Sequence, residues 1–311
     1  MNKRKVKIGT RGSKLALVQA RRAEVALKTA HPGLQVEIVE ILTSGDWKPE
    51  DGETRLSEVG GGKGLFAKEI EKALLDGAVD CGVHSLKDMD SFLPEGLALA
   101  CFMEREDPRD AFLSASFPSL EALPEGAVIG TSSLRRQALL LAKRPDLNIV
   151  PLRGNVGTRI EKMKKGQVDA TLLAMAGLKR LGLEEEIAAP VEIEDMLPAC
   201  GQGTVGIEIR QDDSFMHDIL APLHCAKTGL CSLAEREVLK VLDGSCHTPI
   251  GAYGVFEKDE LYLRALVAEK NGAAIYREES RGSVQTPEEA VLLGRGLGLR
   301  LKNKTPPDIF S

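Results

Sequence analysis

The chain has 311 residues, of which 43% are hydrophobic and 28% are charged, so it is long enough for two or three domains and too apolar for a disordered chain. A net charge of −5 and an aromatic content of only 4% argue against a general nucleic-acid binder. Charged residues interrupt every apolar run before it reaches the roughly 18 residues needed to cross a bilayer, which excludes a membrane-spanning role.

The basic start of the chain, residues 1–5, is followed by a short strand and a glycine turn and not by the apolar region of a signal peptide. We therefore expect a cytosolic protein. The six cysteines form no Cys-x-x-Cys pair and are predicted to be reduced thiols. A zinc site at His224, Cys225, Cys231, Cys246 and His247 is disfavoured by the spacing of these residues, so we expect no metal.

In the first two thirds of the chain, runs rich in β-branched residues alternate with amphipathic runs, which is typical of an α/β fold. The predicted strands cover residues 6–9, 36–42, 79–84, 128–130, 148–152 and 168–174. The predicted helices cover residues 13–29, 64–75, 133–143 and 156–165.

After about Gly203 the pattern changes. A strand at 205–209 and helices at 214–220 and 232–242 precede three strands at 250–256, 261–268 and 274–277. Asn271-Gly272 marks a hairpin between the last two strands, and Thr286-Pro287 opens a final helix. Three strands followed by a helix predict a small α+β domain.

Two pairs of segments suggest an internal duplication. Ile8-Gly9-Thr10 resembles Ile129-Gly130-Thr131, and Gly77-Ala78-Val79-Asp80 resembles Gly166-Gln167-Val168-Asp169. A duplication would produce two similar lobes, each directing a Gly-Thr turn and a helix N-terminus toward a shared cleft.

Five arginines stand beside turns and helix starts of the predicted lobes: Arg11, Arg135, Arg136, Arg153 and Arg159. Each alone is most simply a solvated surface residue. Taken together, at least four of them lie where the carboxyl ends of parallel strands would converge, and guanidinium groups bind carboxylates in a bidentate manner. Because the glycine run 60–64 lacks the Walker spacing, a ligand with several carboxylates is favoured over a phosphate.

Two further groups could carry chemistry. Asp88 ends the run His84-Ser85-Leu86-Lys87-Asp88, and it either forms a surface pair with Lys87 or holds a cationic or N–H-bearing part of a ligand and transfers protons. Cys246, in the loop 243–249, is either a small buried side chain or a nucleophilic or attachment thiol whose pKa His247 lowers.

Motifs between Ile8 and Tyr253 carry a resemblance to a known family. They are Thr10-Arg11-Gly12-Ser13-Lys14-Leu15-Ala16-Leu17, Gly64-Leu65-Phe66-x-Lys68-Glu69, His84-Ser85-Leu86-Lys87-Asp88, Arg105-Glu106-Asp107-Pro108-Arg109-Asp110-Ala111, Gly130-Thr131-Ser132-Ser133-Leu134-Arg135-Arg136-Gln137, Leu152-Arg153-Gly154-Asn155-Val156-x-Thr158-Arg159, Ala176-Gly177-Leu178-Lys179-Arg180-Leu181-Gly182, Leu197-Pro198-Ala199-x-Gly201-Gln202-Gly203 and Cys246-x-x-Pro249-Ile250-Gly251. Together they resemble the porphobilinogen deaminase (hydroxymethylbilane synthase) family.

The resemblance implies that the chain joins four porphobilinogen molecules head to tail into the linear tetrapyrrole hydroxymethylbilane and releases ammonia at each step. It also implies a covalent dipyrromethane cofactor, held by a thioether to Cys246. Each pyrrole carries an acetate and a propionate, so several arginines and helix N-termini suit the growing product.

The resemblance also assigns roles to residues. It implies that Asp88 is the catalytic carboxylate, which holds pyrrole N–H groups, assists the loss of ammonia and stabilises the azafulvene cation. The residues matching the cofactor site are Lys87, Asp88, Ser133, Arg135, Arg136 and Arg159. Those matching the substrate site are Arg11, Ser13, Arg153 and Arg159, with Phe66 near the mouth of the site and Arg180 and Gln202 at further cleft positions.

The implied fold is α/β, with two lobes like those of type II periplasmic binding proteins around a central cleft and a small C-terminal α+β domain carrying the cysteine loop. We expect lobe 1 to comprise residues 1–103 and 204–222, lobe 2 residues 104–203, and the C-terminal domain residues 223–311. The resemblance implies a monomer that acts on a small molecule, with neither nucleic acid nor a membrane as partner.

The chain departs from the usual family pattern at Asp90, at Glu58, at an additional glycine in 60–62 and in the residues just before Cys246. None of these changes removes Asp88, Cys246 or the arginine set, so we expect an active enzyme. The alternative is a non-catalytic protein of the same two-lobe fold that binds a polycarboxylate ligand, although this reading gives no reason for the cysteine loop.

Overall fold

The computed structural model describes residues 5–44, 66–243 and 248–310. The strands are β1 (Lys5–Arg11), β2 (Gln35–Ile41), β3 (Cys81–Ser85), β4 (Leu97–Phe102), β5 (Asp110–Leu113), β6 (Val128–Gly130), β7 (Asn148–Val150), β8 (Ala170–Ala174), β9 (Ala189–Val191), β10 (Val205–Arg210), β11 (Ile250–Glu257), β12 (Glu260–Ala268) and β13 (Ile275–Ser283). The helices are α1 (Lys14–Ala30), α2 (Lys68–Leu75), α3 (Leu134–Lys143), α4 (Val156–Lys164), α5 (Met175–Leu181), α6 (Ser214–Leu220), α7 (Ala226–Val241) and α8 (Pro287–Lys304).

Two five-stranded sheets have the same architecture. The first has the order β2-β1-β3-β10-β4, and the second has the order β7-β6-β8-β5-β9. In each, the first three strands are parallel, and the fourth is antiparallel to both of its neighbours. β10 follows the strands of the second sheet in the chain but lies in the first sheet, so the chain crosses to the second sheet and returns.

The similar sequence segments occupy equivalent places in the two sheets. Lys7 N donates to the Asp80 carboxylate at 2.8 Å, and Asp80 N donates back to Lys7 O at 2.8 Å. Val128 N donates to the Asp169 carboxylate at 2.7 Å, and Asp169 N donates back to Val128 O at 2.8 Å. The predicted similarity therefore corresponds to a repeated pair of hydrogen bonds between the aspartate just before β3 or β8 and the neighbouring strand, β1 or β6.

A serine caps the helix that follows β1 in the first sheet, and another caps the helix that follows β6 in the second sheet. Ser13 accepts a hydrogen bond from Ala16 N at the start of α1, and Ser133 accepts one from Arg136 N at the start of α3. These caps satisfy N–H groups that lack a partner within the helix. They also place Arg136 in the first turn of α3.

The third unit is an antiparallel sheet of order β11-β12-β13. Its inner face buries Leu261, Leu263 and Ala265 against α7 and α8. The opposite face contributes Leu266 and Ala268 to the core of the second sheet. The small domain is therefore packed on that lobe through apolar side chains.

Several predicted boundaries differ from the structure. The helix predicted from residue 64 begins at Lys68, and Phe66 lies in the preceding turn. α7 begins at Ala226, six residues before its predicted start. Gly229 interrupts the amphipathic pattern in this part of the helix, and the absence of a side chain leaves room for the His224 ring, which would lie 2.8 Å from a Cβ at this position. β13 runs to Ser283, beyond its predicted end, since its alternating charged residues pair with β12 along the full length.

Four short elements have no counterpart in the sequence prediction: β4, β5, β9 and α5. β5 has only four residues, all buried, and β9 has three and contains Pro190. Such short segments carry too little periodicity to be recognised. Within the described ranges, no helix has the length and apolarity needed to cross a membrane.

Candidate active site

Lys87 and Asp88 lie on a single 3₁₀ turn, Leu86–Asp88, directly after β3. Leu86 is buried, and its backbone N–H donates to Thr204 O at 3.0 Å. A Cβ atom on Gly201 would come within 2.7 Å of the Leu86 side chain, so the backbone approaches this anchor closely. The turn is thus held from both sides while Asp88 itself stays exposed.

A first group of candidate residues surrounds Asp88. Arg11, Ser13 and Phe66 line the same pocket as the Asp88 side chain. The Arg11 guanidinium stacks on the Phe66 ring, 4.1 Å from its centroid, as in a cation–π contact. Gln19 also lines this pocket, although the sequence did not single it out, and its amide donates to Ser85 Oγ at 3.0 Å.

A second group converges on Asp110, the first residue of β5. Its Oδ2 accepts from Arg135 Nη2 at 2.7 Å, and its Oδ1 accepts from Arg136 Nη2 at 2.7 Å and from Nε of the same residue at 3.2 Å. Oδ1 also accepts from Gln202 Nε2 at 3.1 Å. Gln202 Oε1 in turn accepts a long hydrogen bond of 3.5 Å from Lys87 Nζ. Three of the predicted residues, Arg135, Arg136 and Gln202, therefore bind one buried carboxylate, and a fourth, Lys87, joins them through Gln202.

Asp110 is a residue that sequence reasoning missed. It is 0% exposed, although an aspartate at a strand start is usually solvated. The sequence marks it only as a member of the motif at 105–111 and by its position immediately before the apolar run Ala111-Phe112-Leu113. Neither signal shows which cations would meet the carboxylate.

Opposing charges control protonation in this group. Burial alone would raise the pKa of Asp110, but Arg135 and Arg136 hold it well below its usual range. Burial lowers the pKa of Lys87 to about 8, with Asp88 opposing this decrease and Arg136 adding to it. Burial also lowers the pKa of Arg135, again against the effect of Asp110.

Arg153 and Arg159 lie at the start of α4 in the second lobe. Asn155 caps this helix by accepting from Thr158 N at 3.0 Å, and Arg159 Nε donates to Gly154 O at 2.8 Å. The Arg153 side chain is buried. Both arginines therefore belong to the second lobe, whereas Arg11 and Asp88 belong to the first sheet and the turn that follows it.

Arg180 lies on α5 beside the segment that returns to the first sheet. Its Nη2 donates to Gly203 O at 2.6 Å, and burial lowers the pKa of its guanidinium to about 10, with Arg22 adding to this effect. Gly203 has φ +89, and a Cβ there would lie 2.3 Å from Glu106 O. A side chain is therefore excluded at this crossing point by conformation and by space.

The backbone just beyond Asp88 is also fixed. Arg236 Nη2, from α7, donates to Asp90 O at 2.6 Å, and Met89 is buried. The aspartate that departs from the family pattern at position 90 is therefore compatible with an ordered turn.

Cys246, His247, Glu58 and the glycine run 60–62 lie outside the described residues. Four other cysteines are buried, and burial raises the pKa of Cys101, Cys200 and Cys231 to about 12 and that of Cys81 further. Such thiols are poor nucleophiles. Within the described ranges, no group of three or more His, Cys, Asp or Glu side chains is arranged to hold a metal ion.

Two family models match the chain. One, described as "Porphobilinogen deaminase, dipyromethane cofactor binding domain", matches residues 6–218, and another, described as "Porphobilinogen deaminase, C-terminal domain", matches residues 229–303. The chain belongs to the porphobilinogen deaminase family. The resemblance predicted from the motifs is thereby confirmed.

Porphobilinogen deaminases are transferases of tetrapyrrole biosynthesis that make hydroxymethylbilane on a dipyrromethane cofactor. The predicted activity, cofactor and substrate class are therefore confirmed for this chain. The family match and the common order of the two sheets also confirm the predicted fold class, two type II lobes with a small C-terminal α+β domain.

Solved structures that are similar to this chain include three proteins of low identity. The methionine-binding protein MetQ is 16% identical, with a TM-score of 0.46 over 70% of this chain and 89% of that chain. A YaeC-family lipoprotein from Enterococcus faecalis is 13% identical, with a TM-score of 0.43 over 78% and 97%. The VFT2 domain of Bordetella pertussis BvgS is 14% identical, with a TM-score of 0.42 over 70% and 86%.

The residues present fit a dipyrromethane group. Arg135 Nε is buried and has no hydrogen-bond partner among the described residues, and the half-buried Lys87 has one long hydrogen bond, to Gln202. An unpaired guanidinium N–H and a weakly bonded ammonium are donors that a pyrrole acetate or propionate satisfies. Both lie in the group that converges on Asp110.

Proposed function

We propose that this chain condenses four porphobilinogen molecules with Asp88 as its catalytic carboxylate. The observation that carries this assignment is the position of the Lys87-Asp88 turn between two cationic groups. Asp88 lines a pocket with Arg11 and Ser13, while Lys87 reaches the Arg135–Arg136 group through Gln202. One turn thus presents a carboxylate to the pyrrole ring and an ammonium to the pyrrole carboxylates.

In the proposed reaction, Asp88 accepts hydrogen bonds from pyrrole N–H groups. The aminomethyl group leaves from its protonated, ammonium form: when its C–N bond breaks, the electron pair goes with the nitrogen, ammonia departs, and the positive charge spreads over the substrate pyrrole. The Asp88 carboxylate stabilises that charge, as an electrostatic counterpart of an oxyanion hole. The free α-carbon of the terminal pyrrole would then attack the methylene carbon that ammonia has left. This attacking carbon would lose its proton as the ring regains its aromaticity, and we propose Asp88 as the acceptor of that proton.

The remaining residues bind and orient carboxylates. We propose that Arg11, Ser13, Arg153 and Arg159 hold the incoming substrate, with Phe66 at the mouth of the pocket. Lys87, Ser133, Arg135, Arg136 and Arg159 would hold the dipyrromethane, and Arg180 and Gln202 would complete the cleft. When bound, the cofactor supplies the pyrrole end to which the first unit is joined.

We propose Cys246 as the attachment residue, supported by the high pKa of the buried thiols elsewhere. Intact-mass measurement of the purified chain should show an increment of one dipyrromethane, mapping to the peptide with Cys246. Cys246→Ala should remove it, and Cys225→Ala, at a partly buried thiol, should keep it. An unmodified wild-type chain that porphobilinogen cannot load would refute the function.

Incubation with porphobilinogen distinguishes an enzyme from a binding protein of the same fold. The proposed enzyme should release ammonia and form a product that cyclises to uroporphyrin. A binding protein would return its ligand unchanged.

We also propose the division into lobe 1 (1–103 and 204–222), lobe 2 (104–203) and the C-terminal domain (223–311), which the return of β10 to the first sheet supports. We further propose that the chain is a monomer and that it is cytoplasmic. Size-exclusion chromatography with light scattering should give a mass near 33.5 kDa, and a doubled mass would contradict it.

A further inference from the structure

We propose that Asp110 is a positioning residue of the cofactor site, whose carboxylate sets the geometry of Arg135, Arg136 and, through Gln202, Lys87. This inference rests on the proposed function, because it concerns the donors that receive the dipyrromethane carboxylates. Asp110 itself stays behind these donors and does not contact the ligand.

The first argument is charge. Arg135 and Arg136 are adjacent in sequence and buried, and two unshielded guanidinium groups in one interior site would repel each other strongly. Asp110, at 0% exposure, places one oxygen 2.7 Å from each arginine. The three residues then carry one net positive charge, which is what a site for carboxylates needs.

The second argument is geometry. Arg136 uses Nε and Nη2 on Asp110, and its Nη1 donates to Leu172 O at 2.8 Å. Arg135 uses Nη2 on Asp110, and its Nη1 donates to Leu197 O at 2.8 Å. Arg135 Nε remains buried without a partner among the described residues. Asp110 thus fixes the planes of both guanidinium groups and leaves one donor for a ligand.

The third argument is connection between the lobes. Gln202 is 1% exposed and donates to Pro108 O at 2.7 Å and to Asp110 Oδ1 at 3.1 Å, while its own oxygen accepts from Lys87. Lys87 follows β3 of the first sheet, and Asp110 begins β5 of the second. One buried carboxylate therefore relates the cofactor donors of both lobes to each other.

The test uses chains expressed in cells that make no porphobilinogen, so that loading can be followed afterwards by intact mass. Asp110→Asn keeps the size of the side chain but removes its charge and turns an amide N–H₂ toward guanidinium donors. We expect loading with porphobilinogen to be slower by about 100-fold, as for a binding group displaced by about 1 Å. Circular dichroism and thermal unfolding establish that the variant is folded.

A pH profile separates positioning from a loss of packing. Lys87 is faced by Asp88, Asp110, Arg135 and Arg136, and Asp110 is one of the groups that raise its pKa. If the ammonium form binds carboxylates, wild-type loading should fall as the pH rises through about 8. In Asp110→Asn the fall should occur at lower pH, which packing defects alone would not produce.

Two further variants keep the test decisive. Asp146→Asn removes a carboxylate that accepts two hydrogen bonds from Arg144, at 2.6 and 2.8 Å, in the same lobe, and it should load like the wild type. Asp110→Glu keeps the charge but displaces it, and it serves if Asp110→Asn does not fold. We expect it to load slowly as well.

A folded Asp110→Asn or Asp110→Glu chain that loads at the wild-type rate with an unchanged pH profile would overturn the positioning role. Failure of the wild-type chain itself to load would instead refute the proposed function. The two failures are therefore distinguishable in one experiment.

Discussion

His84 and Glu208 lie side by side in the interior on adjacent antiparallel strands, with Nε2 of the imidazole 3.2 Å from Oε2 of the carboxylate. His84 lies opposite Gly206, and Glu208 lies opposite Gly82, so each long side chain shares a face with a glycine of the neighbouring strand. The two glycines leave the space that the diagonal pair fills. This pair lies directly behind the turn that carries Lys87 and Asp88.

Gly82→Ala should disturb this arrangement. A Cβ at position 82 would lie 2.7 Å from His84 Nε2 and 2.8 Å from Ile70 Cγ2, so the imidazole or α2 must move. We expect the free energy of unfolding in urea to fall by about 1–3 kcal/mol, as for other overpacked cores. Gly157→Ala, whose nearest neighbour would be at 3.5 Å, is the control and should not be destabilised. Equal stability of both variants would contradict the close packing at His84.

Glu71 should make stability depend on pH. It is 8% exposed, and burial raises the pKa of its carboxyl to about 7, with Glu208 and Asp90 adding to the increase. Between pH 4.5 and about 7 the folded chain therefore binds this proton more tightly than the unfolded chain, so the free energy of unfolding decreases as pH rises through that window. The decrease amounts to about 3 kcal/mol.

Glu71→Gln should remove this slope and raise stability at pH 7 and above. Urea unfolding at several pH values measures the effect. Glu161→Gln, at an exposed position on α4, should retain the wild-type slope. An unchanged pH dependence in Glu71→Gln would show that Glu71 ionises normally in the folded chain.

Arg105 should not be replaceable by lysine. Its guanidinium donates to Glu235 at 2.8 Å, to Thr204 Oγ1 at 3.0 Å and to Gly254 O at 3.3 Å. These hydrogen bonds join the segment between β4 and β5, which carries Arg105, to α7 and β11. A lysine keeps the charge but cannot reach three partners in a planar arrangement. We expect Arg105→Lys to lower the free energy of unfolding by about 2–3 kcal/mol. Arg300→Lys, on the surface of α8, should be neutral, and a neutral Arg105→Lys would contradict the role of the planar group.

Asp88→Asn should nearly abolish turnover in a folded chain. The amide cannot stabilise positive charge on the pyrrole or accept its proton, and such groups contribute about 10²–10⁴-fold to rates. Release of ammonia and formation of uroporphyrin measure the loss, with thermal unfolding as the test of folding. Asp90→Asn, two residues further on, should keep activity within a few-fold of the wild type. Near-normal turnover in Asp88→Asn would refute the catalytic assignment.

Most regular elements follow from the sequence because their signals are local. α1 and α3 begin after Ser13 and Ser133, as predicted, since a serine cap followed by an amphipathic run specifies a helix start without reference to the rest of the chain. The late start of α2 and the early start of α7 show the limit of such signals.

In the candidate site, too, local signals identify the residues but not the contacts between them. Sequence motifs identified Lys87, Asp88 and the arginines as a group, but no local pattern relates Arg135 to Asp110, which is 25 residues away, or Gln202 to the same carboxylate, which is 92 residues away. The repeated strand order brings these segments together.

By itself, the sequence determined the α/β alternation, the separate α+β unit and the residues able to bind carboxylates and move a proton, because side-chain chemistry and short-range periodicity are properties of the chain. Only the tertiary structure decided that Asp110 neutralises one of two buried arginines and that Gln202 relates them to Lys87. Those relations depend on which strands become neighbours, and the burial of apolar surface over the whole molecule selects that topology.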